Sequence, residues 1–162
     1  MSRITSVCFF GDFNPEYARN RVLVKGLKEN SVEVAVCHSS RTGFAKLWEL
    51  YTLYKQTRPH QLVIVGQSDS RLPVLLARLI SHKPVVWDAF YSTYESTVYD
   101  RKLISRWHPK ALWYWLIEWF ACRLSDRILL DTNEHISYFV EAFHIPKSKF
   151  IRVLIGADDS VL

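Results

Sequence analysis

With 162 residues, 49% hydrophobic and 14% aromatic, the chain is long enough for one α/β domain with a buried core, too short for two, and unlike a disordered segment. Its net charge of +5 favours anionic partners such as phosphate groups or an acidic membrane, although an ordinary basic surface explains the same value. The three cysteines lack the spacing of a disulfide frame or metal site, which indicates buried thiols in a reducing compartment. We expect a cytoplasmic protein, since neither a signal peptide nor a membrane-spanning apolar run is present.

The amino-terminal half is predicted as three strands separated by two helices. The strands are the apolar runs Ile4–Phe10, Val32–Cys37 and Gln61–Val65. Asn14 as N-cap and Pro15 at the first helical position predict the start of the first helix. The second helix is predicted from Phe44 to about Thr57, and its expected buried face consists of Phe44, Leu47, Trp48 and Tyr51.

The carboxyl-terminal half continues this alternation. A third helix, with a buried stripe of Leu72, Leu75, Leu76 and Leu79, precedes the short strand Val85–Trp87. The polar and aromatic segment 89–108 is predicted as irregular, and a helix from Pro109 to Leu124 follows. Strands Arg127–Asp131 and Phe150–Ile155 then flank a helix that Thr132 or Asn133 can cap and that buries Ile136, Phe139, Val140 and Phe143.

This order of elements predicts one α/β domain: a doubly wound, Rossmann-like parallel sheet of about six strands with helices on both faces. Ligands of such sheets bind outside the carboxyl ends of the strands. Gly11, Gly66 and Gly156 each follow a predicted strand. A glycine there allows close approach of a ligand or simply a tight turn, and both explanations remain open.

The last fifth of the chain carries a family resemblance. In order it contains Asp131, Thr132, His135, Tyr138, Phe139, Ile145, Pro146, Gly156, Ala157, Asp158 and Asp159. This pattern resembles the end of the first domain of family 4 glycosyltransferases, enzymes with two facing Rossmann-like domains (the GT-B fold). The resemblance extends over the whole chain but over only half of such an enzyme, namely its N-terminal, acceptor-side domain.

The resemblance implies transfer of a sugar, with retention of configuration, from a nucleotide-sugar to a sugar or lipid-linked acceptor, with no metal or other cofactor. The expected partner is a C-terminal donor-binding domain, or a separate subunit, that carries the family's glutamate pair. We therefore expect this chain alone to be inactive. In the closing stretch the implied binding residues are Thr132, Asn133, Gly156 and Asp158.

The first loop is the best candidate for a phosphate site. A helix N-terminus presents free N–H groups, and Arg19 lies about one turn into the predicted helix. The loop lacks the glycine pattern of a dinucleotide site and the Gly-Lys-Ser/Thr of a P-loop. By resemblance it faces the diphosphate of the donor, which adds Gly11, Asn14, Tyr17 and Asn20 to the binding candidates. Arg19 and Arg21 as merely solvated side chains are the alternative.

The segment after the fourth strand is the second candidate. Asp88, Ala89, Phe90, Ser92, Tyr94, Asp100 and Arg101 resemble the pattern of a family 4 sub-group. A carboxylate at the end of a strand can accept hydrogen bonds from sugar hydroxyls, and tyrosine rings can stack on a sugar. We therefore expect substrate contacts from Gly66, Tyr91, Ser92 and Tyr94, with Asp88 as the catalytic candidate. Asp88 as a helix cap and the rings as core are the alternatives.

The third candidate is a membrane contact. Basic residues interleave with tryptophan in a way that suits an anionic bilayer: Arg101, Lys102, Arg106, Trp107 and Lys110. The helix that follows is apolar on nearly every side, which favours burial for much of it. This contact would place the protein on the inner face of the cytoplasmic membrane.

Other sites are less supported. No nucleic-acid-binding module is visible, and the six histidines, which lack metal-site spacing, are interpreted as surface or supporting groups. The rival function is a non-catalytic Rossmann-like subunit that docks on a membrane or a partner.

Overall fold

The computed structural model describes residues 3–154 and residue 156. Its strands are β1 (Ser6–Gly11), β2 (Glu33–His38), β3 (Leu62–Val65), β4 (Val85–Phe90), β5 (Arg127–Leu130) and β6 (Phe150–Arg152). Its helices are α1 (Ala18–Glu29), α2 (Gly43–Gln56), α3 (Leu72–Ile80), the single turn α4 (Thr93–Glu95), α5 (Pro109–Leu124) and α6 (Asn133–Phe143). A π-helical turn, Ser96–Asp100, continues α4, and a 3-10 turn, Lys147–Lys149, precedes β6.

The strands form one six-stranded sheet in the order β2-β1-β3-β4-β5-β6, and all neighbouring strands are parallel. This arrangement confirms the predicted doubly wound α/β fold. The chain leaves β1 toward β2 and then returns across β1 to β3, so the connections diverge between β1 and β3. Such a point leaves a crevice at the carboxyl edge of the sheet.

Side chains alternate along each strand and divide the core into two layers. Cys8 and Phe10 of β1 belong to the larger layer, which also contains Leu50 of α2, Val74 of α3, Ala121 of α5 and Phe139 of α6. Val7 and Phe9 belong to the smaller layer, which contains Leu23, Val24 and Leu27 of α1. Thus α2, α3, α5 and α6 cover one face, and α1 covers part of the other.

The predicted start of α1 is wrong, because the helix begins at Ala18 and not at Pro15. The Asn14 side chain accepts a hydrogen bond from the N–H of Glu16 at 3.0 Å, and its carbonyl accepts one from Tyr17 at 3.1 Å. The Asn-Pro pair therefore forms a turn, which these residue types favour as strongly as a helix start.

The predicted buried face of α2 is also wrong. Phe44 is 90% exposed and Trp48 is 71% exposed, whereas Leu50 is fully buried. Apolar side chains lie on nearly every side of α2, so periodicity alone does not select the face that meets the sheet. In α3 the same limit applies to Leu79, which is 82% exposed.

Strand β4 is longer than predicted and ends in a bulge. Its register against β5 shifts between Asp88 and Phe90, and Phe90 has a φ of 63°. A left-handed backbone is rare for a bulky residue and persists only where the surroundings hold it.

The predicted bounds of α5 and the Thr132 cap of α6 are confirmed. No helix in the described part of the chain has both the length and the apolar character that crossing a membrane requires.

Candidate functional site

A cavity of about 570 Å³ lies at the carboxyl edge of the sheet, where the loops after β1 and β3 separate. Further walls come from the segments that follow β4 and β5. The lining side chains are polar or aromatic: Asp12, Asn14, Tyr17, Gln67, Ser68, Asp69, Phe90, Tyr91, Ser92, Glu95, Ser96, Asp100, Arg101 and His135. The cavity therefore occupies the position at which open α/β sheets bind ligands.

Asn20 joins the loop after β1 to the loop after β3. Its amide nitrogen donates to the carbonyls of Asn14 and Gln67, each at 3.0 Å. Its amide oxygen accepts from the N–H of Gln67 at 2.9 Å. With 1% of its surface exposed, Asn20 positions the loops, whereas Asn14 and Tyr17 face the cavity.

Arg19 and Asp88 form a buried ion pair that connects α1 to β4. Arg19 Nη2 lies 2.6 Å from Asp88 Oδ1, and Nε lies 2.8 Å from Oδ2. The guanidinium lies 4.7 Å from the ring centre of Phe90, and Nη1 donates to the carbonyl of Val153 at 3.3 Å. Burial raises the pKa of the Asp88 carboxyl, and Arg19 opposes this shift.

The sequence predicts that Arg19 and Asp88 both contact substrate. In the structure they contact each other, and neither lines the cavity. Phosphate binding by Arg19 and catalysis by Asp88 remain predictions, and both require this pair to open.

A second buried pair, Arg71 and Glu118, was not predicted from the sequence. Glu118 accepts from Arg71 Nε at 3.1 Å, from Ser92 Oγ at 2.6 Å and from the first N–H groups of α4. Arg71 also donates to the carbonyls of Ser68 and Tyr91 at 2.5 and 3.0 Å. One guanidinium thus holds together the two loops that wall the cavity after β3 and β4.

Three aromatic rings give the cavity an apolar surface. The ring centres of Tyr17 and Phe90 are 6.4 Å apart, and those of Phe90 and Tyr91 are 5.7 Å apart. The bulge at the end of β4 brings the Phe90 ring into this group. Tyr94, also predicted to contact substrate, packs on Tyr99 at 5.8 Å and lies outside the lining.

Acidic groups outnumber basic groups in the lining. Four carboxylates and two basic side chains are present: Asp12, Asp69, Glu95, Asp100, Arg101 and His135. Burial, and then the charge of Asp100, raises the pKa of Glu95, and Lys46 forms an ion pair with Asp12. Carboxylates accept hydrogen bonds from hydroxyl groups and repel phosphates, so the lining suits a polyhydroxylated ligand better than a diphosphate.

His135 faces the cavity from the first turn of α6. Its Nδ1 lies 2.7 Å from Asp131 Oδ1, which fixes the ring and leaves Nε2 as the nitrogen that can meet a ligand. From the sequence, His135 is interpreted only as a surface or supporting group. The i, i+4 spacing of Asp131 and His135 beside the Thr132 cap was the available signal for this pair.

The remaining substrate candidates are spread around the carboxyl edge. Gly11 ends β1 with a φ of 137°, which favours glycine. A Cβ on Gly66 would lie 2.6 Å from a Phe9 ring atom, so packing accounts for that glycine. Thr132 caps α6, Asn133 is exposed outside the lining, and Gly156 lies beside α1. Asp158 lies outside the described residues.

The predicted membrane residues are all exposed. They are Arg101, Lys102, Arg106, Trp107 and Lys110. The guanidinium of Arg106 lies 4.6 Å from the ring centre of Trp107, and Arg101 also lines the cavity.

Within residues 3–154 and 156, no three His, Cys, Asp or Glu side chains are grouped so as to hold a metal ion. The absence of a metal or other cofactor from the reaction stays a prediction.

Comparison with known proteins identifies a shared fold. No protein-family model and no curated protein matches the chain. Among solved structures, the chain is similar to the crystal structure of Anabaena Alr3699/HepE in complex with UDP and glucose, with a TM-score of 0.54 and 11% sequence identity. The match covers 95% of this chain and 45% of that protein, so the chain spans less than half of its neighbour's length. At this identity the similarity shows the Rossmann-like fold alone.

Proposed function

We propose that the chain is the acceptor-side half of a GT-B glycosyltransferase that transfers a sugar from a nucleotide-sugar to a hydroxyl group of an acceptor bound in the cavity. The observation that carries this proposal is the lining, in which carboxylate, amide and hydroxyl groups alternate with three aromatic rings at the divergence point of the sheet. The structural neighbour supports the same class, since UDP and glucose are the two parts of a nucleotide-sugar.

The charge of the cavity favours the acceptor as its occupant. Four carboxylates line it against two basic groups, Arg101 and His135, and His135 is paired with Asp131. Arg19, which lies outside the lining, is held by Asp88. Contacts to the donor diphosphate are therefore assigned to a second domain or subunit. This assignment, retention of configuration and the absence of a metal all extend the resemblance to family 4.

In this proposal each wall has a defined task. Tyr17 and Tyr91 pack against the faces of the acceptor ring, while Asp69 and Glu95 accept hydrogen bonds from its hydroxyl groups. His135 Nε2, oriented by Asp131, holds the reacting hydroxyl. That oxygen bonds to the anomeric carbon of the donor, the bond from this carbon to the diphosphate breaks, and the hydroxyl proton passes to a phosphate oxygen of the departing nucleoside diphosphate.

An acceptor joined to a lipid fits the surroundings of the cavity. Arg101 lines the cavity and also begins the exposed basic segment Arg101–Lys110. A site next to such a segment can receive the head group of a lipid from the inner face of the cytoplasmic membrane.

The test is the binding of free sugars to the chain, monitored by NMR chemical-shift changes. The sugars are glucose, galactose, N-acetylglucosamine and inositol, each at millimolar concentration. We expect chemical-shift changes only at cavity residues. The variants Tyr91→Ala and His135→Ala should abolish these changes, whereas His60→Ala, far from the cavity, should retain them. Calorimetric titration with a panel of nucleotide-sugars should show no micromolar binding, and transfer should require an added donor-binding domain. Micromolar donor binding or turnover by this chain alone would contradict the proposal.

The alternative is a non-catalytic Rossmann-like subunit that docks on a membrane or binds a protein partner. A chain that binds no sugar from the panel, and gains no transferase activity with any donor-binding domain, would favour it.

A further inference from the structure

We propose that the acceptor is an oligosaccharide, and that its second sugar ring binds in a separate cavity beside the cavity of about 570 Å³, here called the acceptor cavity. This inference rests on the proposed function and adds a second sugar site to it. The second cavity has a volume of about 450 Å³. Its lining includes Asp12, Lys46, Asp69, Thr93, Trp113 and Tyr114.

The two cavities share a wall. Asp12, from the loop after β1, and Asp69, from the loop after β3, line both of them. The acceptor cavity continues from this wall to His135 of α6, whereas the second cavity continues to Trp113 of α5. Each volume falls within the range of roughly 300–1,000 Å³ that is typical of small-molecule sites. Two linked sugar rings can therefore lie across the shared wall with one ring in each cavity.

Two buried oxygen atoms of residues that line the second cavity have no hydrogen-bond partner in the described part of the chain. They are Asp12 Oδ1 and Thr93 Oγ1. The other carboxylate oxygen of Asp12 pairs with Lys46, which holds the carboxylate in place. Buried polar groups without a partner are destabilising and rare. A sugar hydroxyl can donate to a carboxylate and can either donate to or accept from a threonine hydroxyl, so a bound sugar would supply both missing partners.

Two aromatic side chains give the second cavity its apolar side. Trp113 and Tyr114 lie in the second turn of α5, and Trp113 is 54% exposed. The C–H groups on the face of a sugar ring can pack against such rings, as proposed for Tyr17 and Tyr91 in the acceptor cavity. The second cavity thus combines the same two kinds of group as the acceptor cavity, namely oxygen atoms that bind hydroxyl groups and an aromatic surface.

The charges of the second cavity favour a neutral sugar. Both cations of its lining are paired with carboxylates of the same lining, Lys46 with Asp12 and Arg71 with Glu118. A carboxylated or phosphorylated sugar would therefore approach Asp69 without gaining a counter-ion of its own. A neutral disaccharide unit meets no such repulsion, and its hydroxyl groups match the acceptor atoms of the shared wall.

The experiment is an NMR titration of the chain with monosaccharides and with disaccharides that end in the same sugar. The pairs are glucose with cellobiose and maltose, galactose with lactose, and N-acetylglucosamine with N,N′-diacetylchitobiose. We expect at least one disaccharide to bind roughly tenfold more tightly than its monosaccharide. That disaccharide should also shift the indole N–H signal of Trp113, which lies outside the acceptor cavity.

Two variants test the second cavity alone. Trp113→Ala should weaken disaccharide binding roughly fivefold and Thr93→Val roughly threefold, and monosaccharide binding should stay as in the wild type because neither residue lines the acceptor cavity. Thr93→Val removes an oxygen without a partner in the described chain, so the melting temperature should not fall. Trp48→Ala, which removes a tryptophan that is 71% exposed on α2, is the matched control and should change neither affinity.

The outcomes separate this inference from the proposed function. If monosaccharides bind but no disaccharide binds more tightly, the second cavity holds no sugar and this inference is overturned, while the proposed function stands. The same follows if Trp113→Ala and Thr93→Val, shown to be folded by near-ultraviolet circular dichroism, bind disaccharides like Trp48→Ala. If no sugar of either length binds, this inference is overturned together with the acceptor cavity on which it rests.

Discussion

Two buried arginine–carboxylate pairs hold together elements that surround the cavity, and they are built differently. Arg19–Asp88 joins α1 to β4, and the Asp88 carboxylate accepts hydrogen bonds from Arg19 alone among the described residues. Glu118, in contrast, accepts from Arg71, from Ser92 and from two backbone N–H groups of α4. The Asp88 carboxylate thus serves one arginine, whereas Glu118 and Arg71 together organise two walls of the cavity.

The difference shows how a charged residue can be essential to a site without touching its ligand. Glu118 is fully buried and Arg71 is 3% exposed, yet they set the positions of Ser68, Tyr91 and Ser92. A buried ion pair adds little net stability compared with apolar packing. Removing one partner is nevertheless destabilising, because the other charge stays buried without a counter-ion. The number of groups that each carboxylate satisfies should therefore rank the effects of mutation.

Replacement of Glu118 by alanine should have the largest effect. Arg71 would lose its counter-ion in a buried position, and Ser92 and the first turn of α4 would lose their acceptor. We expect a loss of about 3–5 kcal/mol in the free energy of unfolding, measured by urea denaturation. The exposed Glu141→Ala of α6 is the control, with a change within about 0.5 kcal/mol. A loss below about 1 kcal/mol would show that Arg71 reaches water when Glu118 is absent.

Replacement of Asp88 by alanine should cost somewhat less. Arg19 would keep its hydrogen bond to the Val153 carbonyl and its position over the Phe90 ring. We expect a loss near the lower end of the same range, about 3 kcal/mol, with Asp88→Asn less destabilising. If the proposed catalytic role were correct, Asp88→Asn would also abolish transfer in the reconstituted enzyme while leaving sugar binding intact.

The sequence is sufficient for the sheet but not for these contacts. Each strand appears as an apolar run bounded by turn residues, and right-handed connections then restrict the topology, so all six strands were predictable. Phe44 and Leu50 lie on different sides of a helix that is apolar nearly all round, so only packing decides which is buried. Glu118 lies 47 positions from Arg71, and no local pattern pairs residues at that distance.

The same limit applies to the candidate site. Asp88, Asn14 and Tyr91 were found because they follow predicted strands, at whose carboxyl ends ligands bind. Which of them face a ligand and which face each other depends on side-chain partners from distant elements, as in the pairing of Arg19 with Asp88. A motif therefore predicts the region of a site more reliably than the role of each residue in it.

Lys149 provides a less buried counterpart to the two arginines. Its Nζ donates to the carbonyls of Cys122, Arg123 and Ser125 at 3.1, 2.9 and 2.8 Å, so one cation caps the end of α5. Lys149→Met keeps the aliphatic stem and should lower the free energy of unfolding by about 1–2 kcal/mol in urea denaturation. Lys147→Met on the same turn, where the side chain is exposed, is the matched control and should be near neutral. Equal effects of the two variants would refute the capping role.

Glu95 should show the smallest effect, and only as a dependence on pH. Burial and then Asp100 raise the pKa of its carboxyl in the folded protein, so the folded state holds a proton at pH values where the unfolded chain has released it. Stability from this group is therefore present below the unfolded pKa and declines as pH rises through the folded pKa. Because Glu95→Gln removes that titration, the melting temperature of the variant relative to wild type should be higher at pH 7 than at pH 4. The other carboxyl groups titrate in both proteins and largely cancel in this difference. An unchanged difference would show that Glu95 is ionised in the folded protein as readily as in the unfolded chain, and a reversed one that it is ionised more readily. In either case the cavity would hold its negative charge at no cost to the fold.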